Sequence, residues 1–481
     1  SHVVMRDGYP QTAQAGWKQY TYFRYESSGE KFVISVTSIY GDPDLYVSDV
    51  AEFPSVSNYT LKKNDRGNDV LEVPATGAPT TFYIAVYSFS ASSYYNLMVQ
   101  SQNSSGLLAA SVPLFAKLAS RTTQYYRFKL TYETDFKIKV DKKSWSGDPS
   151  VFVSTVHERP TSDNCEWKGE SAYRAEEVII SKTDANYTSN GYYYIAVFDD
   201  SLFTVDVTII VELSDASEVI SSGIPVSGSI PNGKVLHFKA YYSLKPGDHA
   251  QYIEITGTPH TVSGSLQLYA SSRDEFPDAS NAEFTGANML GSNVIHVADP
   301  KVGWLYISML GKADSTFTLT VSQAKQFVLL EPSIPVSYNV LTGQYRDFVL
   351  KADAQNEHDV VLSVHSYSGD ADFYVGTTSN VSRHNYIWSS ALASSDVITI
   401  SKNDPERRSP DFTGHFYIAV YGFRDSYFSI TGFYGNTTVE IFDGTSLTGT
   451  VNRGNYAYYK YYLTNPASLS MNLRALYERS D

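Results

Sequence analysis

Two short motifs return along this chain at intervals of 105 to 117 residues, and their repetition constrains the fold more than any other feature. One is the turn-and-strand sequence Gly-Asp-Pro-Asp-Leu-Tyr-Val that begins at Gly41. The other is the strand-like sequence Tyr-Ile-Ala-Val-Tyr that begins at Tyr83 and returns, with small changes, at Tyr194, Tyr306 and Tyr417, which are 111, 112 and 111 residues apart. An interval of this length is the size of a small domain, so the sequence predicts a tandem array of modules.

The turn motif has copies in the other modules. It returns as Gly147-Asp148-Pro149-Ser150 and as Gly369-Asp370-Ala371-Asp372, with a degenerate copy, Gly264-Ser265-Leu266-Gln267, between them. The predicted modules are residues 1–101, 102–213, 214–324 (the degenerate acidic turn) and 325–434, followed by an incomplete fifth module over 435–481. Because the last segment stops before its own turn motif is due, we expect the chain to be a segment of a longer polypeptide.

The composition indicates strands. The chain has 39 Tyr and 24 Phe among 481 residues, and segments such as 31–36 and 95–99 alternate large apolar with polar residues, as half-buried antiparallel strands do. Short Gly, Pro, Asn and Ser clusters separate these segments. The predicted fold is therefore all-β, a tandem array of jelly-roll-like antiparallel β-sandwich modules. Short joins between the modules predict a semi-rigid string.

Charge and cysteine content narrow the possible partners. A net charge of −14 disfavours nucleic acid and anionic membranes, which need concentrated Lys and Arg. No apolar run of 18 residues occurs, so direct membrane insertion of this segment is not expected. The one cysteine, Cys165, excludes an intrachain disulfide. Five N-glycosylation sequons, close to the roughly four expected by chance, predict attachment sites at Asn58, Asn103, Asn186, Asn380 and Asn436.

The acidic residues of the turn motif allow two interpretations. In the first they shape the turn, because Gly permits a positive φ, Asp caps the turn and Pro restricts its backbone. In the second they bind calcium together with an acidic residue that precedes a Val-Leu or Val-Ile strand in the same module. The candidate metal ligands are Asp42, Asp44 and Asp69 in module 1, Asp148 and Glu177 in module 2, and Asp370, Asp372 and Asp396 in module 4. Module 3 has lost the acid of its turn and has Asn293 at the second position.

Catalytic motifs are absent from the sequence. There is no His-Glu-x-x-His pair, no Gly-x-Ser-x-Gly elbow, no phosphate-binding Gly-x-x-x-x-Gly-Lys and no dinucleotide fingerprint. The ten His occupy no repeating position in the modules. We therefore predict a non-enzymatic chain. Its tyrosine-rich strands either contact protein or glycan partners or cover sheet faces and pack against neighbouring modules.

The order of these motifs resembles the bacterial pre-peptidase C-terminal domain family. The resemblance rests on the turn at Gly41, the acid before a Val-Leu/Ile strand, the strand at Tyr83 and a final aromatic strand, Tyr94-Tyr95-Asn96-Leu97. It is clear in modules 1 and 4, fair in module 2 and weak in module 3. It implies a jelly-roll-like sandwich found as a non-catalytic appendage of secreted peptidases and in other extracellular proteins. Collagen-binding segments of bacterial collagenases are similar in fold and use calcium.

Tandem modules with no peptidase between them depart from the usual arrangement of that family. We therefore expect a non-enzymatic protein of the cell surface or extracellular space that builds a filament, coat or adhesive structure, with Ca²⁺ as its candidate stabilising ion. Its partners would be other protein chains, either copies of itself or surface proteins, and glycans. The alternative is the accessory substrate-binding region of a secreted peptidase or other hydrolase, and a third class is a calcium-dependent lectin-like binder.

Overall fold

The computed structural model describes all residues except a list of short segments and the end of the chain: 90–91, 145–146, 170–174, 245–251, 261–263, 290–291, 324–325, 353–356, 393–394, 436, 442–446, 450, 452–453, 455, 462–467 and 474–481. Within the described residues every regular element is a β-strand, and no helix occurs. The all-β prediction is confirmed. The same residues therefore contain no helix of the length and apolarity that crossing a membrane requires.

The first nine strands form two sheets, which we call unit 1. They are β1 (Val3–Val4), β2 (Gln11–Ala15), β3 (Tyr20–Ser27), β4 (Phe32–Tyr40), β5 (Pro43–Ser48), β6 (Leu61–Lys63), β7 (Asp69–Val73), β8 (Thr80–Ser88) and β9 (Ser93–Ser101). A five-stranded sheet has the order β1-β3-β8-β5-β6 and a four-stranded sheet the order β2-β9-β4-β7. Both sheets contribute to one hydrophobic core, for example through Phe23, Val86, Ile34 and Leu97.

Unit 2 repeats this arrangement. Its strands are β10 (Gly106–Leu107), β11 (Leu114–Leu118), β12 (Thr123–Leu130), β13 (Phe136–Lys142), β14 (Ser150–Ser154), β15 (Trp167–Gly169), β16 (Ala175–Ile180), β17 (Gly191–Phe198) and β18 (Val205–Leu213). The sheet orders are β10-β12-β17-β14-β15 and β11-β18-β13-β16, so each strand has the neighbours of its counterpart in unit 1.

Unit 3 has one additional strand. Its strands are β19 (Glu218–Ile220), β20 (Val226–Ile230), β21 (Val235–Tyr242), β22 (Ile253–Pro259), β23 (Leu266–Ser271), β24 (Phe284–Thr285), β25 (Ala287–Met289), β26 (Ser292–Val297), β27 (Gly303–Gly311) and β28 (Ser315–Gln323). They pair in the orders β19-β21-β27-β23-β24 and β20-β28-β22-β26-β25. The extra strand β25 extends the second sheet at its edge.

Unit 4 returns to nine strands, and a further pair follows it. The strands are β29 (Val328–Leu329), β30 (Val336–Val340), β31 (Tyr345–Lys351), β32 (Val360–Ser368), β33 (Ala371–Gly376), β34 (Trp388–Ser390), β35 (Ser395–Ile400), β36 (His415–Gly422), β37 (Ser426–Tyr434), β38 (Thr438–Ile441) and β39 (Tyr458–Tyr461). Unit 4 has the sheet orders β29-β31-β36-β33-β34 and β30-β37-β32-β35. Strands β38 and β39 pair in parallel, as β1 and β3 do at the start of unit 1.

The strands form because their residues alternate between the core and the outer face. In β3, Phe23 and Tyr25 are buried in the core of unit 1, whereas Arg24 between them is exposed. On the outer face Tyr20 lies opposite Tyr87 of β8, with ring centroids 4.8 Å apart. The period of two places one aromatic set inside and another outside, which explains the high Tyr content of these strands.

Contacts between units are not limited to sequence neighbours. Unit 1 contacts unit 2 where the Phe115 N–H donates to Thr37 Oγ1 at 2.7 Å. It also contacts unit 3, because the Tyr40 hydroxyl donates to the Ser243 carbonyl oxygen at 2.5 Å and the Tyr40 ring belongs to the core of unit 3. The Tyr40 side chain of unit 1 thus forms part of the hydrophobic core of unit 3, two units further along the chain.

Unit 4 receives contacts from both unit 1 and unit 2. The Lys351 ammonium lies 3.3 Å from Asp65 of unit 1 and 4.0 Å from Asp206 of unit 2. Lys143 of unit 2 bonds Glu331 at 2.7 Å and is almost fully buried with it. The expected string of modules is therefore folded back on itself, with direct contacts between units that are two and three apart in sequence.

The contacts between units two apart use the same strand positions. Tyr94 of unit 1 packs against Tyr241 of unit 3, with ring centroids 4.8 Å apart. By strand register, Asp206 of unit 2 corresponds to Tyr94 and Lys351 of unit 4 corresponds to Tyr241. An aromatic pair in one interface is replaced by an ion pair in the other, so the docking geometry is a property of the fold rather than of one residue pair.

Candidate carboxylate sites and flap loops

The acidic turn places its two carboxylates at the start of β5. Gly41 has a φ of +83°, and a Cβ there would come within 2.6 Å of the Ser92 carbonyl oxygen, so only glycine fits. Gly147 and Gly369 have the same positive φ. The predicted role of glycine in this turn is confirmed. Asp42 precedes β5 and Asp44 lies within it.

In unit 1 the structure brings the predicted acids together. Asp42 Oδ1 accepts the Gly67 N–H at 2.7 Å, and Asp69 Oδ1 accepts the Asp65 N–H at 2.9 Å. Both donors belong to the segment between β6 and β7. Asp69 is 0% exposed and Asp44 is 6% exposed. The second oxygen of Asp69, Oδ2, is buried with no hydrogen-bond partner among the described residues.

Burial and mutual repulsion shift the pKa values of these carboxyls upward. The pKa of Asp44 is raised to about 8, mainly by burial and then by the charges of Asp42 and Asp65. Burial, together with Asp65, Asp44 and Asp42, raises the pKa of Asp69 well above its ordinary value. Burial likewise raises the pKa of Asp42, although the Gly67 N–H and Arg66 oppose it. A carboxylate surrounded by other carboxylates in a dry site favours its protonated form.

Asp65 behaves differently although it lies in the same cluster. Burial alone would raise its pKa, but the charges of Lys351 and Lys63 outweigh burial and lower it. The Lys63 ammonium is 2.8 Å from Asp65 Oδ2. The cluster therefore contains one carboxylate that its lysine partners keep ionised and three whose surroundings favour the proton.

Unit 4 repeats the site in outline. Asp396 Oδ1 accepts the Leu392 N–H at 2.7 Å and the Ser390 hydroxyl at 2.6 Å. Burial, followed by the charges of Asp370 and Asp396, raises the pKa of Asp372 to about 6. Asp370 Oδ1 is buried with no hydrogen-bond partner among the described residues. In both units that keep the two acids of the turn, one carboxylate oxygen of this site is thus buried with no hydrogen-bond partner among the described residues.

Unit 2 departs from the predicted arrangement at its strand acid. In unit 1, Asp69 of β7 lies opposite Val36 of β4. The residue at the same register position in unit 2 is Glu176 of β16, which lies opposite Val140 of β13. The strand register therefore corrects the predicted Glu177. Because side chains alternate along a strand, Glu177 has the opposite orientation, and it bonds Lys137 at 3.1 Å.

The turn acid of unit 2 also has different neighbours. The Asp148 N–H donates to Asp199 Oδ1 at 2.8 Å, and Lys142 Nζ donates to the Gly147 carbonyl oxygen at 2.8 Å. Burial raises the pKa of Asp148, whereas Lys142 and Lys460 oppose that rise. A lysine thus lies where unit 1 has further carboxylates.

Unit 3 replaces the carboxylates with amides. Asn293 lies at the register position of Asp69. Its Oδ1 accepts the Leu268 N–H at 2.9 Å, and its Nδ2 donates to Asn288 Oδ1 at 2.8 Å. Gln267, at the position of Asp44, donates to the Gly286 carbonyl oxygen at 2.9 Å. Because amides replace both acids in this unit, no carboxylate charge is buried at this site.

The side-chain positions in these sites do not form a complete set of metal ligands. Across the described ranges, no group of three or more His, Cys, Asp or Glu is arranged so that it could hold a metal ion. The carboxylates of units 1 and 4 therefore do not form a ready cage. The unpaired oxygens of Asp69 and Asp370 are the one feature that a cation would satisfy.

The loop that follows β5 is a second repeated feature, which the sequence analysis did not identify. After β5 the chain folds over the outer face of the five-stranded sheet, and we call residues 49–60 and their counterparts the flap loops. Ser48 Oγ accepts the Val50 and Ala51 N–H groups, and the Phe53 ring lies 5.1 Å from Tyr22. The flap thus covers part of the exposed tyrosine face.

The same flap occurs in units 2 and 3. Arg159 lies 4.6 Å from the ring of Tyr125, and Phe276 lies 4.8 Å from His237. The signal in the sequence is a serine followed six residues later by proline, with Glu-Phe-Pro or Glu-Arg-Pro at the end, in Ser48–Pro54, Ser154–Pro160 and Ser271–Pro277. Its copies are 106 and 117 residues apart, as are the first three copies of the turn motif, so a search for a third repeated motif would have found it.

The predicted glycosylation sites are mostly accessible. The side chains of Asn58, Asn103, Asn186 and Asn380 belong to exposed residues, and Asn58 lies in the flap of unit 1. Asn436 lies outside the described residues. Glycosylation itself stays a prediction.

Comparison with known proteins gives a match to unit 1. The family model described as "UPF0669: Putative cytokine, C6ORF120" matches residues 10–101. A UPF0669 protein of Nematostella vectensis is 38% identical over 63 residues, which is 13% of this chain and 38% of that relative. The chain thus spans less than two fifths of the relative that it matches. Unit 1 is similar to part of the UPF0669 proteins.

Proposed function

We propose that this chain is a non-enzymatic, extracellular multi-unit protein that builds a surface filament, coat or adhesive structure. Each unit would be a jelly-roll-like β-sandwich corresponding to one predicted module, and the modules would be related to the pre-peptidase C-terminal domains. The chain would contact copies of itself, other surface proteins or glycans. The observation that carries the proposal is the set of contacts between units that are two and three apart in sequence.

A scaffold that resists bending requires direct contacts of this kind between its units. Lys143 and Glu331 form a nearly dry ion pair between units 2 and 4, and Tyr40 of unit 1 contributes to the core of unit 3. Separating either pair would leave a charge or a large ring without its partner, which costs several kcal/mol for a buried ion pair. Units joined in this way resist bending more than units on flexible linkers do.

The comparison with UPF0669 proteins supports an extracellular role. The family description reads "Putative cytokine", and cytokines as a class act outside the cell on protein receptors. The match falls on unit 1, which is one of the two units that keep both acids of the turn. We extend this description to the chain only as far as secretion and recognition of a protein partner.

Calcium is the structural cofactor that we propose for units 1 and 4. Asp42, Asp44 and Asp69 would hold it in unit 1, after side-chain rearrangement, and the unpaired oxygens of Asp69 and Asp370 support this assignment. Bound calcium would supply positive charge where several carboxylates repel one another. Calorimetric titration of the full chain should detect two sites, one of which is lost in Asp42→Asn/Asp44→Asn. No binding heat, or heat unchanged in that variant, would contradict the assignment.

Self-assembly is the direct test of the structural function. Tyr456 and Tyr458 are 79% and 59% exposed. Tyr456 lies just before β39 and Tyr458 is its first residue, and β39 has only β38 as a described partner. Sedimentation velocity and negative-stain microscopy should show concentration-dependent oligomers for the full chain, reduced in Tyr456→Ser/Tyr458→Ser. Tyr132→Ser, which removes another exposed ring, is the matched control. A monomer at every concentration would count against the filament.

The alternative, an accessory substrate-binding region of a secreted hydrolase, is favoured by the outer face of unit 1. There the ring of His2 lies 5.4 Å from Tyr83 and 4.8 Å from Phe53, which forms part of a continuous aromatic surface. Such surfaces bind polysaccharide or protein substrates by stacking. Retention of the full chain on insoluble polysaccharide or fibrous protein, lost in Phe53→Ala, would support this alternative over self-assembly.

A further inference from the structure

Contacts between units that are two apart in sequence join the same two faces in each case. The projecting face of the earlier unit lies at the end of its four-stranded sheet and consists, by strand register, of Ile39 and Tyr94 in unit 1, Lys143 and Asp206 in unit 2, and Tyr367 and Tyr427 in unit 4. The receiving face of the later unit lies at one edge of its five-stranded sheet and consists of Ser221 and Tyr241 in unit 3, Glu331 and Lys351 in unit 4, and Arg6 and Glu26 in unit 1.

Units 1 and 3 form one copy of this interface. The Tyr94 ring packs against Tyr241, with centroids 4.8 Å apart. The Ser222 N–H, next to Ser221 in the chain, donates to the Ile39 carbonyl oxygen at 3.0 Å. In this docked arrangement Ile39 is only 1% exposed.

Units 2 and 4 form a second copy with different chemistry. Lys143 bonds Glu331 at 2.7 Å, and their side chains are 7% and 3% exposed. The Lys351 ammonium lies 4.0 Å from Asp206. Ring packing and a backbone hydrogen bond in one interface are thus replaced by ion pairs in the other. The position of the two faces, rather than a particular residue pair, is common to both interfaces.

Unit 4 has a projecting face of its own. Tyr367 takes the position of Ile39 and Lys143, and it is 38% exposed. Its ring stacks on that of Tyr427, with centroids 5.0 Å apart and an interplanar angle of 30°. At the position that is buried in both interfaces within the chain, unit 4 therefore presents an exposed ring.

The segment after unit 4 indicates which partner can reach this face. Thr448 Oγ1 lies 3.4 Å from His365 Nδ1, and His365 is at the register position of Thr37, which accepts the Phe115 N–H where unit 2 follows unit 1. Strands β38 and β39 also pair as β1 and β3 do. The position directly after unit 4 is therefore taken by the same chain, and the two-apart position lies one unit further. Unit 1 is the unit of a second copy that can take that position without overlapping this segment.

The receiving face of unit 1 complements the two tyrosines. Arg6 and Glu26 are both exposed. A guanidinium stacks on a tyrosine ring through a cation–π contact, and a carboxylate accepts a hydrogen bond from a phenol hydroxyl. Unit 2 has Ala109 and Lys129 at these two positions, so it lacks the carboxylate. Unit 1 therefore supplies a cation for one ring and an acceptor for the other.

We propose that unit 4 of one chain docks through Tyr367 and Tyr427 on Arg6 and Glu26 of unit 1 in a second copy of this chain. The docking has the geometry that joins unit 1 to unit 3 and unit 2 to unit 4. It rests on the self-assembly proposed above and names the two surfaces that would carry it. Because these surfaces differ, the association is head-to-tail, and its repetition extends a filament or closes a ring.

Charge exchange at one contact tests this docking. Sedimentation velocity of the full chain measures association, and Tyr367→Lys or Arg6→Glu alone should weaken it about tenfold, because each removes the cation–π contact. An equimolar mixture of the two variants should restore association. In the mixture one contact keeps the wild-type residues, and the other has the residue types of the Lys143–Glu331 pair.

The mixture distinguishes a lost contact from a lost fold, and circular dichroism checks that each variant is folded. Lys129→Glu, at the corresponding position of unit 2, is the matched control and should leave association unchanged. A wild-type chain that is monomeric at every concentration would overturn this docking together with the proposed self-assembly. Oligomers that persist in both single variants, that stay weakened in the mixture, or that are lost in Lys129→Glu would overturn the docking alone, and self-assembly would then use another surface.

Discussion

Units 1 and 3 have chemically different side chains at equivalent buried positions of their sheets, carboxyls in unit 1 and amides in unit 3. At the position where unit 1 buries Asp69, unit 3 buries Asn293, and where unit 1 has Asp44, unit 3 has Gln267. The amides of unit 3 satisfy both a donor and an acceptor, whereas Asp69 keeps one oxygen unpaired. The fold therefore does not need the acids, and unit 1 keeps them at a cost in stability.

This comparison indicates that the acids of unit 1 have a use beyond shaping the turn. If the turn were their only role, the amides of unit 3 would serve equally well without burying charge. The positive-φ glycine and the strand that follows it are sufficient for the turn. Retention of three mutually repelling carboxyls in units 1 and 4 is consistent with a site that takes up protons or a cation.

The largest expected effect comes from moving a carboxylate into unit 3. Asn293→Asp would remove the donor to Asn288 and bury a charge among groups arranged for an amide, which should destabilise unit 3 by about 3 kcal/mol. Native-state hydrogen exchange of β22 and β26 measures this without assuming two-state unfolding of the whole chain. The reverse change, Asp69→Asn, should leave unit 1 folded or slightly more stable. Equal destabilisation by both changes would show that the two units do not differ in this way.

A smaller effect is expected from pH, and it should separate the two units. In the folded state the pKa of Asp44 is about 8, raised from 3.8, so the folded state binds a proton that the unfolded state releases. The stability linked to this proton is fully present below pH 4 and is lost as pH rises through about 8. Between pH 6.5 and 8.5 unit 1 should lose on the order of 2 kcal/mol, measured by hydrogen exchange corrected for intrinsic rates.

The control for this pH dependence is within the same chain. Unit 3, with Gln267 and Asn293 at the two positions, should change little over this range, and Asp44→Asn should make unit 1 resemble it. A pH dependence of equal size in both units would have to arise outside the carboxylate site.

The smallest expected effect concerns what the two units share. Phe53→Ala in unit 1 and Phe276→Ala in unit 3 each remove a half-exposed ring from a flap contact with Tyr22 or His237. An aromatic pair contributes about 1 kcal/mol, so each change should cost that much or less and mainly increase exchange in the flap. Because the flap does not involve the acids, the two costs should be similar. Markedly different costs would show that the flaps have diverged in function.

Much of the fold could be predicted from the chain alone, because the period of 111 residues and the alternation of aromatic with polar residues are local signals. The glycine turn was predictable for the same reason, because the positive φ of Gly41 belongs to the turn itself, whereas its close approach to the Ser92 backbone is a tertiary contact. In units 1 and 4 the strand acids that the pattern selected, Asp69 and Asp396, lie at the same register position, and their role as metal ligands stays a prediction. In unit 2 the sequence pattern selected Glu177, one residue from the register position of Glu176, and a shift of one residue reverses the face of a strand.

Sequence by itself therefore determined the repeat, the strands, the turn and the residue types available at each site, all of which depend on neighbours along the chain. Tertiary structure alone decided which carboxyls lie together, which are paired with lysines and which unit contacts which. Asp65 and Lys351 are 3.3 Å apart in space although they are in the first and fourth units. Such pairs depend on how whole sheets dock, and no local pattern records that. The distinctive chemistry of unit 1 arises at that level.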